Sequence, residues 1–162
     1  MSSLEEENTK LKAENDRLKK AIIRISKNGG GGVICTVYLD TIRYDEKAKP
    51  KMHINNSIIN FDSSNDKTAQ LAKVICRKEN LMILKNTPVA TDEIYDWYRY
   101  SEDWFNISPK ERKQFQKNLY QWFRRLNEKL LPYLGNNKLF EKIDGKYGFN
   151  RRIRIVSSNQ QK

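Results

Sequence analysis

The stretch Ser108–Leu130, SPKERKQFQKNLYQWFRRLNEKL, constrains this chain most. Ser108 suits a helix cap, Pro109 suits the first helical position, and Glu111 stands three residues after the cap. Behind that start, Phe115, Leu119, Trp122, Phe123, Leu126 and Leu130 recur at spacings of three and four. They form one apolar stripe on a 3.6-residue period, so the helix must lay that stripe against a core. The opposite face carries Gln114, Lys117, Asn118, Gln121, Arg124 and Arg125.

Most amphipathic helices with Lys and Arg outside are simply solvated. Two features set this one apart. Its outer face mixes amides and cations with few acids, and the segment after it is also basic. From Ser108 to Val156 there are thirteen Lys and Arg against four Asp and Glu, an excess of nine within a chain whose net charge is +11. A balance of this kind favours an anionic partner. Arg and Lys match guanine edges and phosphates, and Asn and Gln match adenine, so the outer face has the chemistry of a major-groove reader.

Upstream, Leu4, Leu11, Leu18 and Ile25 recur every seventh residue. With these at the d position of a heptad, Asn8, Asn15 and Ile22 fall at a, Glu7 and Glu14 at g, and Lys12 and Lys19 at the following e. In a parallel dimer each g glutamate faces an e lysine of the other helix, and a buried Asn at a favours two strands in register. Residues 1–27 are therefore expected to be a dimerisation helix with the seam Leu4, Asn8, Leu11, Asn15, Leu18, Ile22 and Ile25. Three heptads with two Asn at a make a weak zipper, and a lone surface helix is the competing reading. The glycine run within residues 28–32 is either a flexible joint or a junction between two joined segments.

From Val33 the pattern turns to strands. Val33–Leu39, Tyr38–Tyr44 and Met52–Phe61 are rich in β-branched and aromatic residues, with turns at Asp45–Pro50 and Asn55–Ser57. A helix is expected over Ser63–Lys78 with Leu71, Val74 and Ile75 inward, ended by Lys78-Glu79-Asn80 and followed by a short apolar run, Leu81–Leu84. Thr91 is expected to cap a helix running to about Tyr100, with Ile94, Trp97 and Tyr98 inside. Trp104 and Phe105 are expected to plug the loop that follows. After Leu130, Pro132 and Gly135 stop the long helix. Asp144-Gly145 between Leu139–Ile143 and Lys146–Phe149 is a strong hairpin signal. Residues 157–162 read as a tail.

Enzymatic chemistry finds no footing here, and no cofactor is expected. There is no acid/base pair at useful spacing, no glycine-rich loop after a strand, and no nucleophile beside a histidine. His53 reads as an ordinary strand residue, and Cys35 and Cys76 are too isolated for a zinc site or a disulfide framework. Unpaired cysteines, no signal-peptide pattern and no long apolar span lead to the expectation of a cytoplasmic protein without membrane contact, nucleoid-associated if bacterial.

A small sheet, three helices with the third basic, then a basic hairpin is the order of an α+β winged helix-turn-helix. Residues 33–156 resemble the winged-helix effector domain of OmpR-like bacterial response regulators. In that family the third, recognition helix ends in an R-L-R-K-K-L-like run, where Phe123-Arg124-Arg125-Leu126-Asn127-Glu128-Lys129-Leu130 stands here. The family's wing reads R-G-x-G-Y, loosely matched by Ile143-Asp144-Gly145-Lys146-Tyr147-Gly148-Phe149, and Thr91–Trp97 matches its second helix. Asn127 and Glu128 replace basic residues of the family's run. The chain holds no receiver domain with a phospho-acceptor aspartate, so phosphorelay control is not implied, and the zipper would pair the heads instead.

The resemblance implies sequence-specific binding of double-stranded DNA by a homodimer that regulates transcription. Helix 108–130 would enter a major groove through Gln114, Lys117, Asn118, Gln121 and Arg124, with Lys110, Lys113 and Arg125 on phosphates. The wing, residues 139–150, would bring Lys142 and Lys146 to the adjacent minor groove or backbone, with Arg151 and Arg152 beside it. Two other readings stay open: a scaffold that shows its basic face to an acidic protein partner, and RNA binding. The aromatics fall on helical core positions rather than an open sheet, which counts against RNA base stacking.

Overall fold

The computed structural model describes residues 9, 10, 12, 13 and 35–157. Thr9, Lys10, Lys12 and Ala13 are helical and exposed. The expected zipper seam, the glycine run and residues 158–162 lie outside the described residues.

Strand alternation builds the first layer. Strands β2 (Arg43–Asp45), β3 (Lys51–Ile54) and β4 (Ser57–Asn60) form an antiparallel meander. Met52 pairs with Ile59 in register, and Met52, Ile54 and Ile59 are all buried on the core face. His53 and Ile58 alternate with them and pair with each other, as the strand reading of His53 requires. The β3–β4 turn holds Asn55 at φ +54°, a conformation that Asn tolerates well. Its amide then ties the meander to β1 (Cys35–Tyr38): Tyr38 N–H donates to Asn55 Oδ1 at 3.0 Å, and Asn55 Nδ2 donates to the Thr36 carbonyl at 3.1 Å.

The expected strand Tyr38–Tyr44 is interrupted. A 3-10 turn over Leu39–Thr41 buries Leu39 and separates β1 from β2, so the initial strands do not make one sheet. β1 pairs instead, in parallel, with β7 (Ile153–Val156) at the far end of the described chain. That long-range pairing depends on the whole core being in place between the two strands.

Three short helices follow. Helix α1 is Lys67–Ile75, shorter than the expected Ser63–Lys78, because Asp66 caps it by accepting from Thr68 N–H at 2.8 Å. Lys78-Glu79-Asn80 does not end that helix; it opens a second one, α2 (Lys78–Asn86), in place of the expected apolar run. Asn80 is buried at the corner and donates to the Val74 carbonyl at 2.7 Å, satisfying an acceptor that the end of α1 leaves open. Helix α3 is Thr91–Trp97. Ala90, not Thr91, occupies its cap position, and no side chain caps it. Its buried residues are Ile94 and Tyr95, whereas Trp97 and Tyr98 are only half-buried. In the next loop Trp104 is buried but Phe105 is 78% exposed, so only one of the two aromatics plugs it.

Helix α4, Pro109–Leu130, has 22 residues and is about 33 Å long. Phe115, Leu119, Phe123, Leu126 and Leu130 of its apolar stripe are buried, and Trp122 packs half-buried beside them. They share one core with Leu71 and Ile75 of α1 and with Met52, Ile54 and Ile59 of the meander. Each such aliphatic side chain contributes about 2 kcal/mol through burial. The hairpin β5 (Phe140–Ile143) and β6 (Lys146–Phe149) turns at Asp144 (φ +50°) and Gly145 (φ +80°), the backbone that an Asp-Gly pair is suited to adopt. Val89, between α2 and α3, bridges Tyr147 with hydrogen bonds of 2.7 and 2.8 Å in both directions. The architecture is α+β, and no helix among the described residues is long and apolar enough to cross a membrane.

Candidate nucleic-acid interface

The start of α4 is held by its own chain. The Ser108 hydroxyl oxygen accepts from Glu111 N–H at 3.2 Å, and its O–H lies 3.3 Å from Glu111 Oε1. Arg112 turns away from the outer face. Its Nε donates to the Trp104 carbonyl at 2.9 Å and its Nη2 to the Phe105 carbonyl at 2.8 Å, so one guanidinium fixes the preceding loop to the helix. Phe115 packs edge-on against Tyr95 and Tyr98, with ring centroids 5.0 and 5.9 Å away. These contacts give the amino-terminal half of α4 a fixed direction relative to α3.

The outer face of that half carries Lys110, Lys113, Gln114 and Lys117, which with Pro109 line a shallow depression. From Lys110 to Lys117 the helix rises about 10 Å, roughly two turns. Gln114 Nε2 donates to Asn118 Oδ1 at 2.9 Å, which orients both amides along the helix surface. Gln121 is half-buried and Arg125 exposed. The structure thus brings the expected residues of this half onto one accessible face.

The carboxy-terminal half differs from expectation. Arg124 pairs with Glu128 at 3.3 Å, one helical turn on. Asn127 is buried against the hairpin, where its Nδ2 donates to the Phe140 carbonyl and its Oδ1 accepts from Phe140 N–H, both at 3.0 Å. The lack of a cation at position 127 therefore has a structural reason. The side chain at that turn faces the hairpin, where a Lys or Arg cation, a donor only, could not accept from the Phe140 N–H as the Asn127 amide does.

The hairpin stands across a cleft of about 480 Å³ from this half of α4. Lys142 leans over it, its ammonium 5.7 Å from the ring centres of both Tyr120 and Tyr147. Tyr147 stacks on Phe123 with centroids 4.2 Å apart, and burial pushes its hydroxyl pKa up to about 12. Lys146 is exposed beside the hairpin turn. Arg151 and Arg152 sit at the hairpin's foot. Arg151 is engaged, its Nε and its backbone N–H both donating to Glu141 Oε1 at 2.9 Å.

The roles of three residues here, Tyr120, Lys138 and Asn127, were not read from the sequence. Tyr120 is 50% exposed on the outward face, and its position three after Lys117 and four before Arg124 places it there. Lys138 lines the cleft between helix and hairpin, but nothing local marks it. Asn127 carries a signal only once the hairpin is known to pack on α4. Among the described residues no group of three or more His, Cys, Asp or Glu is placed to hold a metal. Compared with family models, curated proteins and solved structures, the chain matches none.

Proposed function

We propose that residues 35–156 act as a winged helix-turn-helix that reads double-stranded DNA, with α4 as recognition helix and the β5–β6 hairpin as wing. Residues 1–27 would pair two such heads. The observation that carries this reading is the two-faced character of α4: one face buried in the core, the other presenting Lys110, Lys113, Gln114, Lys117, Asn118 and Gln121. A helix of this length with cations and amides on one exposed face fits a major groove about 12 Å wide. The supporting elements number one helix more than the expected three, but the basic helix still stands directly before a hairpin: α1 and α2, a bridging residue at Val89, α3, α4, then the hairpin. The loop locked by Arg112 and the hairpin locked by Asn127 fix both flanks, and pre-positioned contacts bind better than mobile ones.

In this mechanism Gln114, Lys117, Asn118, Gln121 and Arg124 enter the major groove, while Lys110, Lys113 and Arg125 neutralise phosphates. Lys146 at the wing tip reaches the neighbouring backbone. Fluorescence anisotropy on a mixed-sequence DNA duplex and a matched RNA duplex, titrated across salt, tests it. Binding to DNA with log K falling against log salt at a slope of roughly −4 to −9 is the expected result.

One observation favours a second reading, in which the basic face docks on an acidic protein. Phe105, in the loop whose backbone Arg112 holds, is 78% exposed. An exposed aromatic ring suits an anchor in a protein interface. Little binding to either duplex at low salt would select this reading.

A further inference from the structure

The cleft between α4 and the hairpin does not end at the hairpin's edge. Lys138 and Glu141 line both it and a second cleft, of about 640 Å³, at the hairpin's foot. The two clefts therefore adjoin at Lys138 and Glu141, one beside the carboxy-terminal half of α4, the other at the turn that leads into β7. Along them stand five basic side chains, Arg124, Lys142, Lys138, Arg151 and Arg152, against only two acids, Glu128 and Glu141. Both acids are occupied by arginines of the same surface, Glu128 by Arg124 and Glu141 by Arg151.

The floor is rigid. Asn137 Nδ2 donates to the Leu134 and Gly135 carbonyls at 2.8 and 3.1 Å. Asn150 Nδ2 donates to the Lys138 carbonyl at 2.8 Å, and Asn150 Oδ1 accepts from Arg152 N–H at 3.1 Å. Asparagine amides thus join the loop before β5 to the turn after β6 and set the Lys138 and Arg152 backbones in one frame. A group of cations along a groove whose backbone is held in place, with few acids among them, is the chemistry that holds successive phosphates of one strand.

We infer that this surface is a backbone clamp: it holds consecutive phosphates of one DNA strand, passing from the α4 cleft around the foot of the hairpin, with Lys138 and Arg152 as its outer contacts. The inference rests on the DNA-binding reading and extends it. Arg124 becomes a phosphate contact released from Glu128 on binding, rather than a base reader, and the bound strand leaves the head past the β6–β7 turn instead of ending at the wing tip.

The test compares salt titrations of the full chain on one mixed-sequence DNA duplex. Each lost phosphate contact flattens the log K against log salt slope by about 0.9. Lys138→Gln with Arg152→Gln should therefore flatten it by about 2 and weaken every duplex sequence by the same factor. Lys138→Arg, which keeps the charge, should leave it unchanged. The control Lys47→Gln with Lys49→Gln, exposed on the β2–β3 turn, should not flatten it. A steep wild-type slope that the Lys138/Arg152 pair leaves intact, or that the control flattens equally, overturns the clamp and spares the DNA-binding reading. Wild-type protein without salt-dependent DNA binding overturns both.

Discussion

Asn127 and Phe140 are joined by a closed pair of hydrogen bonds, side-chain amide to backbone N–H and carbonyl, both 3.0 Å long and both buried. One residue of α4 thereby does for the first residue of β5 what a neighbouring strand would do. The hairpin is fastened to the long helix at this point, and the stacked Phe123–Tyr147 rings extend the contact.

Replacing Asn127 removes both partners of the Phe140 backbone at once. A buried donor or acceptor left unsatisfied costs about 1–3 kcal/mol. Asn127→Ala should therefore lower stability by about 2–4 kcal/mol, read as the shift in urea midpoint at constant slope. Glu128→Ala, one residue on but exposed and paired only with Arg124, should change it by less than about 1 kcal/mol. Equal effects from the two variants would mean that the buried pair does not anchor the hairpin.

Base reading and phosphate holding separate in the binding of variants to different sequences. Gln121→Ala, on the half-buried flank of the outer face, should change which duplexes are preferred by about 1–3 kcal/mol at one position. Lys146→Ala, exposed beside the hairpin turn, should weaken all duplexes alike and flatten the salt slope by about 1. Competition binding against a randomised duplex pool distinguishes the two. Loss of affinity in equal measure on every duplex for both variants would sink the groove assignment.

The hairpin turn carries backbone strain that glycine relieves. Gly145 has φ +80°, and a β-carbon added there meets no atom within 4 Å. The cost of Gly145→Ala is therefore conformational, about 1–2 kcal/mol, without a steric part. Thermal unfolding should show the corresponding loss in melting temperature. A neutral result would mean that the turn relaxes to another type.

Alkaline pH should unfold this protein through its tyrosines. The Tyr147 hydroxyl pKa is raised by burial from 10.0 to about 12, and burial raises that of Tyr98 as well. Between those limits the unfolded chain ionises first and binds fewer protons than the folded one, so stability is full below about pH 10 and falls as pH rises toward 12. Tyr147→Phe should flatten that decline, measured by urea unfolding at a series of pH values. An unchanged pH dependence in the variant would show that the Tyr147 hydroxyl is not protected by the fold.

How far the chain could be read from its sequence follows from the range of each interaction. Helix α4 was legible because its cap, its proline and its apolar stripe are local and agree with one another. The hairpin was legible because Asp144-Gly145 satisfies a backbone demand within two residues. Helix α2 was not, since its apolar residues, Leu81–Leu84, are contiguous rather than spaced by three and four, and its start depends on Asn80 reaching back to Val74 across a corner. The exposure of Phe105 was hidden too, because hydrophobicity says that a ring is apolar, not on which side of a loop it will lie.

Local chemistry alone therefore determined where the main helix and the hairpin lie, which face of the helix is apolar and where the positive charge concentrates. Tertiary structure decided what became of the individual cations and amides on those elements. It engaged Arg151 with Glu141, buried Asn127 against Phe140, and set Lys142 over two tyrosine rings. It also closed β1 onto β7 and brought Lys138 to the seam between two clefts. The physical reason is that periodicity and turn preference act over a few residues, whereas a long polar side chain takes whichever partner the packing of distant segments brings within about 3 Å.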